Sequence, residues 1–265
     1  MGKKKDGRAI ARSNEIRVLR SLARFGWLRT RDLALLCWTR WTPKPSTTFQ
    51  VVCLYPRESS LRMAQRTLKR LVQQHGVLAS KAPDGSIVYT LAEAGARTLR
   101  ELGYQAQSGK DLARGFSTAF FRHRCIANEI AITALVQGFR VSTEREIAQG
   151  FWLGGSQGVE GKRPDVVVRD REQAIFCEVE KSRKNKTEYQ ALIFWLTKMI
   201  AAQGAGNLRC GTENFVLAKV IFVCTPAFQN KLQKDLMASG WSAARQDQLI
   251  HYSTDLYLLR NTLFS

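Results

Sequence analysis

A helical stripe followed directly by a hairpin pattern is the feature that most constrains the fold of this chain. Two short runs typical of β-strands, residues 77–81 and 86–89, flank the turn sequence Pro83-Asp84-Gly85. Before them, apolar side chains recur at the spacing of one helix face: Leu61, Ala64, Leu68, Leu71 and Val72. The sequence therefore predicts a helix that begins near Ser59 or Ser60 and a β-hairpin after it.

The opposite face of this helix is basic and polar. Arginine and glutamine make bidentate contacts to guanine and adenine edges in the major groove, and lysine suits phosphates. A solvated helix face with no ligand is the alternative that this pattern leaves open. We expect DNA contacts from this face and from a lysine near the hairpin tip, that is from Arg62, Gln65, Arg66, Lys69, Arg70, Gln73 and Lys81.

Further helices are predicted on both sides of this unit. Ser13 and Thr30 are expected to cap two helices before it, and Thr90 with Glu93 has the spacing of a capping box that opens a helix after it. The order helix, helix, helix, hairpin, helix is that of a winged helix-turn-helix. The run from Tyr89 to Gly95 also resembles the wing-to-helix junction of that superfamily. We assign residues 8–103 to this DNA-binding domain and residues 104–116 to a linker.

The charge distribution supports a polyanionic partner. The chain has 41 lysines and arginines against 22 acidic residues, and residues 1–110 hold 21 of the basic residues but only 7 of the acidic ones. No apolar run approaches the roughly 20 residues of a membrane span, so we expect no membrane contact. The six cysteines form no CxxC pair, which is typical of reduced thiols in a cytoplasmic protein.

The second half of the chain, residues 117–265, has the pattern of a mixed α/β domain. Helices and strands alternate in the order α-β-β-β-α-β-α-β. The predicted segments are a helix at 117–136, a strand at 139–147, strands at 164–168 and 174–180, a helix at 186–203, a strand at 215–224, a helix from Pro226 and a strand at 251–259.

Three carboxylates of this half form a candidate site. Glu178 and Glu180 share one face of a strand because side chains alternate, and Asp165 lies on the preceding strand. Such a set can hold a hard divalent cation, with Asp165 and Glu178 as the expected metal ligands, and the ion could activate water at a phosphoryl group. Ion pairs between these carboxylates and the many arginines are the alternative.

The spacing of these acids resembles a known nuclease pattern. Pro164-Asp165, twelve intervening residues and then Glu178-Val179-Glu180 resemble the PD-(D/E)xK nuclease-like fold. The resemblance implies a Mg²⁺-dependent site with catalytic Asp165, Glu178 and Glu180, which Glu129 of the first helix of the domain can join. Glu180 occupies the position of the usual catalytic lysine, and Lys181, one residue later, is predicted to point to the opposite face of the strand.

The order of these pieces over most of the chain resembles the replication-relaxation proteins of plasmids and conjugative elements. The matching pieces are the winged helix, His123-Arg124 with Asn128-Glu129, Arg163-Pro164-Asp165, and the run from Phe176 to Lys181. The resemblance implies origin recognition, conjugative transfer or plasmid replication, with double-stranded DNA, a relaxase or replication initiator and a second copy of the chain as candidate partners. We favour a non-enzymatic accessory factor over a DNA endonuclease or a transcription regulator, because the catalytic set is incomplete.

Overall fold

The computed structural model describes residues 6–113, 117–180, 186–204, 209–210 and 215–258. These residues form two compact units of a mixed α/β protein. The first unit takes its residues from 1–42 and 53–122, and the second from 43–52 and 123–263. The sequence had placed the boundary at residue 117, and it did not predict that the segment 43–52 groups with the second unit.

The first unit consists of helices around a small antiparallel sheet. The sheet has the order β1-β3-β2, and its strand β1 was not predicted from the sequence. The elements in chain order are α1 (Gly7–Phe25), β1 (Trp27–Arg29), α2 (Thr30–Trp38), α3 (Glu58–Gln73), β2 (Val77–Lys81), β3 (Ile87–Leu91), α4 (Glu93–Glu101) and a 3-10 turn (Lys110–Ala113).

Helix starts in this unit differ from the predicted caps. Asp6, and not Ser13, caps α1, and its carboxylate accepts a hydrogen bond from the backbone N–H of Arg8 at 3.0 Å. Thr90 lies buried inside β3, so it forms no capping box with Glu93. At the start of α2, the Asp32 carboxylate accepts hydrogen bonds from the Arg29 backbone N–H (2.9 Å) and Nε (3.1 Å).

A close contact between two glycines fixes α4 against the turn that precedes β2. A Cβ added at Gly95 would collide with the carbonyl oxygen of Gly76, so only glycine permits this approach. The predicted linker also packs in this unit, because Gly109 N–H donates to the Leu91 carbonyl oxygen (2.7 Å) and Arg20 stacks on Tyr104. Residues 114–116 lie outside the described residues.

The second unit is built on a mixed sheet. Its strands run β4-β5-β6-β8-β7, and β9 also pairs with β8. Strands β6 and β8 are parallel, as are β8 and β9, while the other neighbours are antiparallel. The elements are α5 (Thr118–Val136), β4 (Arg140–Ser142), α6 (Glu144–Ala148), β5 (Val166–Asp170), β6 (Gln173–Glu180), α7 (Lys186–Gly204), β7 (Arg209–Cys210), β8 (Phe215–Cys224), α8 (Pro226–Ala238), α9 (Ala243–Leu249), β9 (Ile250–Ser253) and α10 (Asp255–Leu258).

Two predicted strands of this unit were too long. The strand predicted at 139–147 is a three-residue strand followed by α6, because Thr143 and Glu146 form a capping box that starts a helix. The strand predicted at 251–259 stops at Ser253, and α10 follows. In both cases a short helix begins inside the predicted strand.

Packing on one face of this sheet positions the loop that precedes β5. The Phe176 ring of β6 stacks at 6.2 Å on Trp195 of α7, and the indole N–H of Trp195 donates to the Val159 carbonyl oxygen at 3.0 Å. The loop is thus tied to α7 close to Lys162. Among the described helices, none is both long and apolar enough to cross a membrane.

The segment 43–52 has specific partners on α5 and on the residues that follow it. Thr133 Oγ1 donates to the Val52 carbonyl oxygen (2.8 Å), and the Gln137 amide exchanges hydrogen bonds with the backbone of Gln50. The ring of Phe49 meets the edge of Phe139 at 5.5 Å. A segment for which no helix or strand is predicted is therefore held to the second unit by specific contacts.

Candidate functional site

The described structure presents the basic face of α3 as one exposed surface. Its apolar stripe, centred on Ala64, Leu68 and Leu71, is buried as predicted. Because helix positions three and four apart share a face, this burial turns the basic side chains outward. All the side chains proposed for DNA contact are exposed, namely Arg62, Gln65, Arg66, Lys69, Arg70, Gln73 and, on β2, Lys81.

Two arginines of this surface already have carboxylate partners. Arg62 pairs with Glu58 one turn earlier, and Arg70 Nε lies 3.2 Å from Glu15 Oε1 of α1. Within the described residues, Arg66 and Lys69 form no ion pair. Arg66 and Lys69 therefore have the guanidinium and ammonium groups that a DNA ligand could engage without displacing a carboxylate.

A second group of polar residues surrounds the start of β5. Asp165 is anchored to β6 twice, because its backbone N–H donates to the Cys177 carbonyl oxygen (3.1 Å) and its carboxylate accepts from Val179 N–H (2.8 Å). Antiparallel pairing of Val166 with Cys177 places Asp165 beside the end of β6 that carries Glu178 and Glu180. Both glutamates are buried.

Lys162 neutralises the first of these glutamates. Its Nζ lies 2.6 Å from Glu178 Oε2, and the two side chains are 21% and 5% exposed. Burial lowers the pKa of Lys162, but the charges of Glu178, Asp165 and Glu180 outweigh it and raise the pKa above the ordinary value. The lysine is therefore charged at neutral pH. The charges of all three candidate-site carboxylates act on it.

His123 neutralises Asp165 in the same cluster. Its Nε2 lies 3.3 Å from Asp165 Oδ2. Burial lowers the pKa of His123, but the hydrogen bond and charge of Asp165, with Glu144 and Glu180, raise it to about 9. Burial raises the pKa of Asp165, yet His123, the Val179 N–H and Lys162 together hold it below its ordinary value. An imidazolium and a carboxylate thus face each other at neutral pH.

The remaining predicted residues are placed around this cluster in different ways. Arg163 turns away and donates to the Ser156 carbonyl oxygen, and Lys181 lies outside the described residues. Glu129 is buried on α5, six residues after His123 and therefore about 120° around the helix axis from it. The α5 residue that contacts Asp165 is His123. A role of Glu129 in the cluster stays a prediction.

Both proposed Mg²⁺ ligands are paired with cations in this arrangement. Oxygen atoms of Asp165 and Glu178, the two proposed ligands, are hydrogen-bonded to His123 and Lys162. In the described part of the chain, no group of three or more His, Cys, Asp or Glu side chains is arranged to hold a metal ion. The arrangement is a network of paired charges.

Sequence reasoning missed the two cations of this network as partners of the acids. Lys162 is adjacent to Arg163 but comes from a glycine-rich loop, where spacing alone does not show the direction of a side chain. His123 had been noted only as part of a motif. The ion pair between Arg124 Nη1 and Glu144 Oε1 (3.0 Å) extends the network to α6 and was also not predicted.

Comparison with known protein families gives a match for this sequence. The sequence matches the family described as replication-relaxation over residues 42–191, which is more than half of the chain and includes α3, the hairpin and the strands β5 and β6. The chain belongs to the replication-relaxation family. Neither the curated proteins nor the solved structures contain a match.

The His123–Asp165 pair predicts a pH-dependent stability of the second unit. The folded unit raises the pKa of His123 from 6.5 to about 9, so the pair stabilises fully below about pH 6.5 and the stabilisation is lost as the pH rises through about 9. We expect the urea midpoint of the wild type to fall between about pH 6.5 and pH 9. In His123→Gln, the part of this fall that comes from the pair should be absent. The exposed His251 provides the control, since His251→Gln should show the same fall of the urea midpoint with pH as the wild type. Identical pH profiles of wild type and His123→Gln would contradict the assignment.

Proposed function

We propose that this protein is a double-stranded DNA-binding accessory factor of a mobile genetic element. It recognises an origin of conjugative transfer or plasmid replication and recruits the processing machinery, with a relaxase or replication initiator as the expected protein partner. The family supports a role in replication or relaxation of DNA on such elements. The arguments for DNA binding and against catalysis come from the two candidate surfaces.

The order of elements in the first unit supports a winged helix. Helices α1, α2 and α3 precede the hairpin β2–β3, and β1 completes a three-stranded sheet in the order β1-β3-β2. In helix-turn-helix proteins, the last helix before the wing lies in the major groove and the wing contacts the backbone or minor groove. In this chain α3 is that helix, and the hairpin that carries Lys81 is the wing.

The exposed basic face of α3 is the observation that carries the proposal. Six of its polar side chains face solvent on one helix, and those of Gln65, Arg66 and Lys69 lie within two turns. Arginine and glutamine supply base-edge contacts, and lysine supplies phosphate contacts. This combination suits a duplex with a preferred sequence better than it suits a small ligand, because the surface is a convex helix face.

The paired cluster of the second unit supports a non-enzymatic role. A cleavage site of the PD-(D/E)xK kind requires carboxylate oxygens open to a metal ion, and His123 and Lys162 contact Asp165 and Glu178. We therefore assign the second unit, a mixed sheet with helices, to structural support and partner binding.

Salt dependence tests the proposed mode of binding. If the α3 surface and the wing neutralise roughly five phosphates, the log–log slope of affinity against salt is about −4 to −5. Fluorescence anisotropy of the full chain with a labelled duplex over a salt series measures this slope. Lys69→Gln should reduce its magnitude by about 1, whereas Lys234→Gln, on α8 of the second unit, should leave it unchanged. A flat salt dependence, or no binding at low salt, rules out the proposal.

A further inference from the structure

Helix α7 carries an exposed aromatic side chain at its middle. Phe194 is 73% exposed, while Leu192, Trp195 and Leu196 beside it are buried in the core. Exposed residues continue from Phe194 in both directions at alternating steps of three and four, which defines a straight seam along the helix. The seam consists of Thr187, Ala191, Phe194, Lys198 and Ala201, all exposed.

The side chains of this seam suit a second helix that lies antiparallel to it. Two small residues, Thr187 and Ala201, stand seven positions before and after Phe194. If two antiparallel copies cross at Phe194, Thr187 of one copy therefore faces Ala201 of the other at each end. Small side chains allow close approach of the backbones. The central Phe194 would then lie close to the twofold axis.

A cleft beside Phe194 supplies the complementary half of such a contact. The cleft has a volume of about 390 Å³, and Ala191, Leu192, Trp195 and Phe194 itself line it. Because Phe194 is both a projecting side chain and a wall of the cleft, one patch of surface contains a knob and its hole. This self-complementarity is the property that an isologous dimer requires, since a twofold axis would place each Phe194 against the cleft of the other copy.

The charges around the cleft favour a second copy over nucleic acid. Two glutamates, Glu160 and Glu188, balance two lysines, Lys162 and Lys198, and Lys198 pairs with Glu160. A nucleic-acid surface needs an excess of positive charge, which the lining does not provide. In the antiparallel arrangement, Lys198 of one copy lies about 3 Å along the axis from Glu188 of the other, at 1.5 Å per residue, so opposite charges stand at nearly the same level of the two helices.

We propose that α7 forms the interface of a homodimer in which two copies pack antiparallel across Phe194. The aromatic ring fills the neighbouring cleft, and the Glu188–Lys198 contacts, repeated by symmetry, set the register. The proposal concerns self-association alone, so it stands or falls independently of DNA binding.

Sedimentation equilibrium of the full chain over a range of micromolar concentrations tests the proposal. The wild type should approach twice the chain mass of 29.9 kDa, and Phe194→Asp should raise the dimer Kd by about 30-fold or more, the effect of losing a central aromatic anchor. The control is Phe151→Asp, because Phe151 is another exposed phenylalanine (62%) of the same unit that does not line the cleft. This variant should dimerise as the wild type does.

A charge reversal tests the antiparallel register. Glu188→Lys should weaken the dimer, and addition of Lys198→Glu should restore it, because the two charges would face each other across the axis. A wild type that stays monomeric, a dimer that Phe194→Asp leaves intact, or equal losses for Phe194→Asp and Phe151→Asp would overturn the proposal. The proposal would also be overturned if Glu188→Lys with Lys198→Glu failed to restore the dimer although the melting temperature of this double variant stayed normal.

Discussion

Replacement of Arg66 by alanine weakens binding to the preferred DNA site by about 5- to 150-fold, which corresponds to roughly 1–3 kcal/mol. Arg66 is exposed near the middle of α3 and has no carboxylate partner in the described part of the chain. Its guanidinium can therefore make a bidentate contact to a base edge without first breaking an ion pair. Binding to random duplex should fall much less, because phosphate contacts remain.

The preferred site is first selected from a random DNA pool, and affinities for the selected and a scrambled duplex are then measured at one salt concentration. Lys81→Ala should weaken binding to both duplexes about equally, since the wing is expected to contact the backbone. Arg245→Ala, an exposed arginine of α9 in the second unit, is the matched control and should weaken neither. Equal losses on both duplexes for Arg62→Ala, Arg66→Ala and Lys81→Ala would show that α3 does not read sequence.

Replacement of Lys162 by methionine lowers the free energy of unfolding of the second unit by about 3–5 kcal/mol. Glu178 is buried, and Lys162 Nζ at 2.6 Å is the cation next to it. Removal of the ammonium takes a paired cation away from the buried Glu178 carboxylate, while the negative charges of Asp165 and Glu180 stay close by, so the energetic cost of the Glu178 charge rises. Methionine keeps most of the packing of the lysine stem, so the change isolates the charge.

Urea unfolding followed by tryptophan fluorescence measures this loss. Lys231→Met is the control, because the Lys231–Asp235 pair on α8 has the same separation (2.6 Å) but side chains that are 56% and 38% exposed. We expect this change to cost about 1 kcal/mol or less. The double variant Lys162→Met/Glu178→Gln should recover part of the stability, because the buried charge is removed with its partner. A loss for Lys162→Met no larger than that for Lys231→Met would contradict the buried network.

The sequence predicts the elements of this fold best where the signal is local. The stripe of α3 and its basic face follow from helical periodicity alone, and the strand at 215–224 is confirmed with both its ends. The residues that cap the helix N-termini were less predictable, because several nearby polar residues can accept the same backbone hydrogen bond. Asp6 precedes Ser13 and starts α1 earlier, and the register of β3 with β1 and β2 draws Thr90 into the sheet.

The candidate cluster was predictable only in its acids. Alternation along β6 placed Glu178 and Glu180 on one face, and strand pairing brought Asp165 next to them. The cations come from outside this pattern, since Lys162 extends from a loop and His123 from a helix more than forty positions before Glu178 in the sequence. Contacts of this range depend on tertiary packing, which spacing does not encode. The same reason explains why the assignment of 43–52 to the second unit was not expected.

Incubation of the full chain with its selected DNA duplex and Mg²⁺ or Mn²⁺, with Asp165→Ala beside it, tests the central claim most directly. The reaction is divided between a native gel, which shows binding, and a denaturing gel, which shows strand breaks. The account predicts that wild type and variant both bind the duplex and leave both strands intact. Cleavage by the wild type that Asp165→Ala abolishes, or a wild type that does not bind the duplex, would contradict it.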